Sequence, residues 1–120
     1  MAYVDGFVLP LPKKNLAAYK VMAKKASKIW MDHGAVEYRE TVGEDMSATF
    51  CMPMTKLSKC KPSETVVFAW IVYKSKKHRD AVNKKVMKDP RMNQMIAPGE
   101  KMPFDCKKMG YGGFEVIVEG

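Results

Sequence analysis

The stretch Thr65 to Tyr73, which reads Thr-Val-Val-Phe-Ala-Trp-Ile-Val-Tyr, is apolar at nearly every position. Successive side chains of a β-strand point to opposite faces of the sheet, so this stretch predicts a strand with two apolar faces. One face carries Val66, Phe68, Trp70 and Val72, and the other carries Val67, Ala69, Ile71 and Tyr73. The chain offers about two substantial helices, enough to cover one face of a small sheet. The second face needs another cover, and a second copy of the chain is the simplest one.

Length and composition predict one domain that spans residues 1–120. The chain has 120 residues, of which 47% are apolar, and this is enough to bury a core without disulfide or metal cross-links. Its three cysteines are odd in number and widely spaced, a pattern that favours free thiols in a reducing compartment. Tyr3–Leu9 reads as a strand rather than a signal peptide, and no stretch approaches the roughly 18 apolar residues of a membrane span. We therefore expect a cytoplasmic protein.

The net charge of +8 is spread along the chain. The first sixty residues hold nine basic and six acidic side chains, and the last sixty hold twelve and seven. Most lysines fall on the outer faces of two predicted helices, where they would attract anions without specificity. No helix-turn-helix, zinc-finger or aromatic ribonucleoprotein motif accompanies them. The pattern favours solvated helix faces over nucleic-acid binding.

Turn and cap residues divide the first half of the chain. Strand one is Tyr3–Leu9, and Pro12 opens a helix that runs to about His33. Gly34 is placed to end this helix, because glycine adopts a left-handed conformation without strain. The predicted inner stripe of helix one is Leu16, Tyr19, Ala23, Ala26 and Trp30. Strand two is Val36–Val42, half-buried and near a sheet edge.

The second half begins with a long connection, Gly43–Ser63, which is rich in methionine. Long connections usually bind something or pack on a partner, so this one predicts an arm that reaches across a dimer, with a flexible loop as the alternative. After strand three, Ser75 caps a second helix that ends near Asp89–Pro90. Its predicted inner stripe is His78, Ala81, Val82 and Val86. Arg91–Ile96 adds a short helical turn, and the last strand is Lys108–Val118.

The order strand, helix, strand, strand, helix, strand predicts an α+β fold of the ferredoxin-like kind, a four-stranded antiparallel sheet with two helices on one face. Several blocks also carry a family resemblance: Tyr3-Val-Asp-Gly-Phe-Val-Leu-Pro10, Glu64-Thr-Val-Val-Phe-Ala-Trp-Ile-Val-Tyr73, His78-Arg-Asp-Ala-Val-Asn83, Lys85-Val-Met-Lys-Asp-Pro90, Met102-Pro-Phe-Asp105 and Tyr111-Gly-Gly-Phe114. In these the chain resembles the bacterial YbaA-like family of unknown function. The resemblance implies a dimeric α+β barrel, in which two ferredoxin-like sheets pack face to face.

The superfamily implied by this resemblance does not choose a function, because it includes cofactor-independent monooxygenases, haem-degrading enzymes, isomerases and regulatory ligand-binding domains. The methionine-rich region 46–61, with Cys51 and Cys60, departs from the family pattern, which puts an inferred substrate preference in doubt. Two classes stay open. The first is a small-molecule enzyme or binder whose pocket lies between sheet and helices and takes an apolar or aromatic compound. The second is a non-catalytic protein that binds an anionic partner such as RNA through its basic helix faces.

His78 is the candidate catalytic residue. It lies at the start of helix two, near the end of strand three, where it could act as a base or a hydrogen-bond donor in a cleft beside Tyr73. A structural histidine with satisfied hydrogen bonds is the alternative. Trp70 could stack on an aromatic ligand, although a large ring in a central strand also suits a core or an interface.

Asp5 is unusual because strand one otherwise reads as the interior of a sheet. A buried carboxylate needs a hydrogen bond or a cation, and Arg39 and Arg79 are the candidates. A structural ion pair and a perturbed catalytic carboxylate both fit this position. Tyr38 and Tyr111 are predicted as polar wall residues of the same pocket.

No metal or cofactor is predicted. The two histidines do not form a ligand-spaced pair, and the three cysteines contain no C-x-x-C arrangement. The glycines near position 112 are not followed by a helix, so they do not form a dinucleotide-binding turn.

Overall fold

Four β-strands and three α-helices make up the chain. The structure is a computed structural model that describes all residues from Met1 to Gly120. In chain order the elements are β1 (Tyr3–Pro12), α1 (Leu16–Asp32), β2 (Glu37–Val42), α2 (Met54–Leu57), β3 (Glu64–Tyr73), α3 (Lys76–Lys88) and β4 (Gly110–Glu115). Short 3-10 turns lie at Lys13–Asn15, Pro90–Gln94 and Cys106–Lys108. None of the helices combines the length and the apolar character that a membrane crossing needs.

The four strands form one antiparallel sheet in the order β2-β3-β1-β4. The two central strands, β3 and β1, pair over ten residues each, from Tyr3 opposite Tyr73 to Pro12 opposite Glu64. Strand β2 lies at one edge, as its half-polar pattern predicts. The α+β class and the four-stranded antiparallel sheet are therefore confirmed.

Helix α1 ends in a Schellman motif. The amide of Gly34 donates to the carbonyl of Met31, and the amide of Ala35 donates to that of Trp30. The φ angle of Gly34 is 108°, which lies in the region that favours glycine. The predicted end of helix one at this glycine is confirmed, and the turn sends the chain directly into β2.

Helix α3 begins where the sequence predicts. The Ser75 hydroxyl accepts a 3.0 Å hydrogen bond from the amide of His78, as an N-cap serine does. The buried residues of the helix are Val82 and Val86. Ala81 was expected on the inner stripe but is exposed, because it lies one position before Val82 and is turned by about 100° around the helix axis.

Helices α1 and α3 cover one face of the sheet, and two clusters of buried side chains lie beneath them. The first cluster comprises Leu9, Leu11, Tyr19, Ala23, Val67 and Ala69. The second comprises Ile29, Ala35, Ile71, Tyr73, Val82 and Val86. Phe7 on β1 packs against both clusters, so they meet at the middle of the sheet. The β3 side chains in these clusters all come from one parity of the strand.

The opposite face of the sheet is not covered by α1 or α3, and we call it the open sheet face. The strand register places Val4, Val8, Phe68, Trp70, Val72 and Phe114 on it. The side chains of Phe68 and Phe114 are 45% and 59% exposed. Phe68 and Trp70 contact each other with ring centroids 5.4 Å apart. Within a single chain the second apolar face of β3 is therefore covered only in part, since Val66 is buried, Trp70 and Val72 are partly buried, and Phe68 is exposed.

Several predicted segments differ from the structure in detail. Strand one extends to Pro12 rather than ending at Leu9, so helix one begins at Leu16, after a 3-10 turn, rather than at Pro12. The last strand is Gly110–Glu115 rather than Lys108–Val118, because Glu115 already pairs with Tyr3, the first residue of β1. Beyond that point the sheet offers no partner strand. The long connection contains α2, and its Phe50 is 91% exposed. Its role as an arm across a dimer stays a prediction.

Candidate functional site

A cavity of about 400 Å³ lies between the helices and the sheet. We call it the helix-side cavity. Its apolar walls are formed by Phe7, Leu9, Tyr19, Met22, Ala26, Trp30, Tyr38, Ala69, Ile71, Met87, Met92, Met95, Phe104, Met109 and Tyr111. Only Asp5, Glu40 and Asn83 add other polar side chains. The cavity lies where the two core clusters meet, and its volume falls within the range of small-molecule sites.

Glu40 lies on this cavity between two phenols. The hydroxyl of Tyr19 donates to its Oε1 over 2.7 Å, and the hydroxyl of Tyr38 donates to its Oε2 over 2.8 Å. Both oxygens of Glu40 therefore serve as hydrogen-bond acceptors. Tyr19 comes from α1 and the other two residues from β2, so the cluster joins helix and sheet. A second cavity of about 260 Å³ lies on the other side of the same three residues.

Burial and the negative charge of Glu40 both raise the pKa of the two phenols in this cluster. Desolvation raises the pKa of Tyr38 and of Tyr19 far above the ordinary tyrosine value, and the negative charge of Glu40 raises both further. The phenols therefore remain protonated donors across the physiological range. They hold the Glu40 side chain in place without neutralising its charge.

Asp5 forms the other polar cluster of the cavity. Its side chain is 2% exposed, and its Oδ1 accepts from the Arg79 guanidinium over 2.8 Å and from the Tyr111 hydroxyl over 3.1 Å. Arg79 also donates to Tyr111 over 2.9 Å and lies over the ring of Tyr3. Of the two arginines considered from sequence, Arg79 is thus the partner of Asp5. Arg39 instead forms an ion pair with a neighbour on its own strand.

The sequence-predicted site residues separate into two groups. Asp5, Tyr38 and Tyr111 line the helix-side cavity, whereas Trp70, Tyr73 and His78 do not. Trp70 lies on the open sheet face, where its indole donates to Glu37 over 2.7 Å. Its position in β3 explains the separation, because neighbouring strand residues point to opposite faces. The structure does not bring Trp70 together with the other predicted residues.

Tyr73 and His78 lie beside the cavity but within packed structure. Tyr73 is fully buried, and its hydroxyl lies 3.3 Å from Oδ1 of Asn83. His78 packs edge-on against the Tyr73 ring, and its Nδ1 accepts from the backbone amide of Lys74 over 3.0 Å. A histidine with this bond closes the turn between β3 and α3, and this geometry fits the structural alternative.

Glu40 is the principal cavity residue that sequence reasoning missed. A signal for it exists, because Glu40 shares its strand parity with Tyr38 and Val42, which predicts the inner face of the sheet. Five methionines also line the cavity: Met22, Met87, Met92, Met95 and Met109. They come from four separate segments of the chain, so no local pattern could have grouped them.

Neither histidine belongs to a candidate metal centre. His33 lies 2.7 Å from Asp89, and no group of three or more histidine, cysteine, aspartate or glutamate side chains is arranged to hold a metal ion. The three cysteines are free thiols.

The fold and the cavity define a small α+β protein with an apolar chamber between its helices and a four-stranded antiparallel sheet. The model of a family described as a protein of unknown function, DUF1428, matches residues 2–106. The chain is 44% identical over 119 residues to uncharacterized protein YbaA of Escherichia coli K12 and to that of Shigella flexneri, and the match covers 99% of each chain. The chain belongs to this YbaA-like family of unknown function, as the sequence blocks indicate.

Proposed function

We propose that the protein, as an enzyme or as a binding protein, takes a small apolar or aromatic compound into the helix-side cavity. The observation that carries this proposal is the cavity itself, with its apolar walls and a few polar groups at fixed positions. The buried side-chain polar atoms all have hydrogen-bond partners within the chain. A ligand therefore does not need to supply missing partners, and burial of its apolar surface is the main source of affinity.

The same proposal includes a ferredoxin-like fold that pairs into a dimeric α+β barrel. The strand order β2-β3-β1-β4 and the placement of α1 and α3 on one face support the first part. The exposed Phe68 and Phe114 support the second, because a second copy would remove them from water. Three free cysteines suit a reducing compartment and support a cytoplasmic location.

The binding proposal can be tested with N-phenyl-1-naphthylamine, a neutral apolar probe whose fluorescence rises when it leaves water. We expect the protein to bind it with a saturable increase in fluorescence. Ala26 lines the cavity, so Ala26→Leu should occupy part of the space and weaken binding at least about tenfold, a change of about 1.4 kcal/mol. A second filling variant, Ala69→Leu, approaches from the sheet and should act in the same direction.

Two controls separate the cavity from other surfaces. Ala17→Leu adds the same atoms on the exposed side of α1, and Phe68→Lys removes an apolar side chain from the open sheet face. Neither should weaken probe binding, and thermal melting should show that all variants are folded. The proposal is wrong if the probe does not bind, or if the filling variants bind it as tightly as the native chain.

A further inference from the structure

The helix-side cavity has an unusual charge for this chain. The protein contains 21 lysine and arginine residues against 13 acidic ones, yet no lysine, arginine or histidine lines the cavity. Two carboxylates do, those of Asp5 and Glu40. The most apolar chamber of a basic protein thus has acidic side chains as its only ionisable groups apart from the tyrosine phenols.

The two carboxylates differ in how their charge is balanced. Asp5 is paired with the Arg79 guanidinium at 2.8 Å. Glu40 takes part in none of the ion pairs of the chain and is held only by neutral phenols. Lys20 and Lys24 line the smaller cavity behind Glu40 but do not pair with it. Glu40 therefore carries the unbalanced negative charge of the helix-side cavity.

The two tyrosines that contact this charge through their hydroxyls each pack on a further aromatic ring. Tyr19 and Phe104 contact each other edge-on with centroids 5.7 Å apart, and Trp30 and Tyr38 lie 6.2 Å apart. All four rings line the cavity. The face of an aromatic ring attracts a cation, and indole does so most strongly. The methionine side chains add polarizable sulfur, which suits an apolar ligand body.

We propose that the cavity selects a protonated organic amine carried on an apolar or aromatic body. The ammonium group donates to Glu40 and lies among the rings, while the body packs against the methionines. Each carboxylate oxygen accepts one phenol and has a further acceptor position. This inference rests on the proposed function, since it names the ligand class of the same cavity.

Three compounds with a shared aromatic body test the proposal: 2-phenylethylamine, which is protonated at neutral pH, neutral 2-phenylethanol, and anionic phenylacetate. Calorimetric titration of the native protein should show the amine binding at least about tenfold more tightly than the alcohol, because charge-assisted hydrogen bonds are the stronger ones. Phenylacetate should bind most weakly.

Glu40→Gln should reduce the preference for the amine over the alcohol to about threefold or less, because the amide keeps the shape of the side chain without its charge. Glu37→Gln removes the same charge from the open sheet face of the same strand, and it should leave the preference unchanged. If Glu40→Gln does not fold, the comparison of the three compounds on the native protein still decides the inference, because equal binding of the amine and the alcohol contradicts it.

The inference is wrong if the native protein binds the amine and the alcohol equally. It is also wrong if the preference for the amine survives in Glu40→Gln, or if none of the three compounds binds. The neutral naphthylamine probe separates these failures from failure of the proposed function. If that probe still binds and Ala26→Leu still weakens it, the cavity is a ligand site and only the assigned ligand class is wrong. If the probe neither binds nor responds to Ala26→Leu, both the ligand site and its assigned ligand class are rejected.

Discussion

At the scale of single residues, the most constrained side chain is Asp5. A carboxylate that is 2% exposed is costly unless its charge is compensated, and here Arg79 and Tyr111 compensate it. The Arg79 guanidinium reaches from α3 to β1, so one ion pair ties a helix to a central strand. The same contact places Asp5 at the wall of the cavity without leaving it as a free charge.

Arg79→Met should destabilise the folded protein by about 3 kcal/mol, because it leaves the buried Asp5 charge without its cation. Denaturant unfolding at a fixed protein concentration measures the effect. Lys84→Met is the control, since Lys84 is exposed on α3, away from the open sheet face, and its loss should change the free energy of unfolding by no more than about 0.5 kcal/mol. If both substitutions lower the free energy of unfolding equally, the buried Asp5–Arg79 pair contributes no more to stability than an exposed charge does.

At the scale of elements, helix ends determine how the helices lie on the sheet. The Gly34 turn reverses the chain after α1 and aligns β2 beside β3. A network of charged side chains then joins the end of α1 to the segment after α3. Arg91 donates to Asp32 over 2.8 Å and to Asp89 over 2.7 Å, and His33 contacts Asp89 at 2.7 Å. Both helices are therefore held at their C-terminal ends.

Gly34→Val should lower stability by about 1–2 kcal/mol, because a residue with a Cβ pays a steric penalty at a φ of 108°. The Cβ itself would meet its nearest neighbour, the His78 ring, at an ordinary 3.7 Å, so the cost of adding it comes from the backbone conformation. Thermal melting should show the loss. Gly120→Val, at an open position, should not change the melting temperature, and an unchanged melting temperature for Gly34→Val would rule out the strained backbone as a stability determinant.

The charged network predicts a dependence of stability on pH. Hydrogen bonds from the Arg91 side chain hold the pKa of Asp89 far below its ordinary value of 3.8 and also lower the pKa of Asp32. A carboxyl whose pKa is lower in the folded state contributes stability that is present above the ordinary pKa and is lost as the pH falls through the folded value.

The native chain should accordingly be more stable than Arg91→Met at pH 6, and this advantage should shrink as the pH falls below about 4. Denaturant unfolding across this range measures the difference. Lys88→Met, which removes an exposed positive charge from the last turn of α3, should show a smaller difference at pH 6. If the native chain is more stable than Arg91→Met by the same amount at every pH, the carboxyls of Asp89 and Asp32 are not the source of the difference.

At the scale of the whole molecule, the sheet separates two environments. The helix side contains the cores, the cavity and both polar clusters. The open sheet face presents Phe68, Trp70 and Phe114 to solvent. Exposed apolar surface of this kind in one contiguous patch is typical of an interface, and a patch that meets its own copy closes around a two-fold axis.

Light scattering at micromolar concentration should therefore give about twice the chain mass of 13.6 kDa. Phe68→Lys places a charge at the centre of the proposed interface and should shift the protein towards a single chain mass. Val21→Lys makes the same change on the outer face of α1 and should leave the dimer intact. A native protein that scatters as a single chain would contradict the proposed barrel.

The sequence by itself determined the order of the four strands and the two long helices, but not the short helix α2. Period-two patterns, the Ser75 cap, and the glycine at position 34 are local signals, and the structure follows them within one or two residues at most boundaries. The strand Thr65–Tyr73 also predicted a sheet with two apolar faces. These features depend on neighbours in the chain, so they can be predicted from a single sequence.

Only the tertiary structure decided which side chains meet. The strand pattern already separates Trp70 from Tyr73, but only the structure shows that the cavity lies on the face opposite Trp70. Glu40 meets Tyr19 across a helix and a strand, and Asp5 meets Arg79 across 74 positions. Such contacts depend on how α1 and α3 lie over the sheet. Their positions follow from packing across the whole core, which no local pattern in the sequence records.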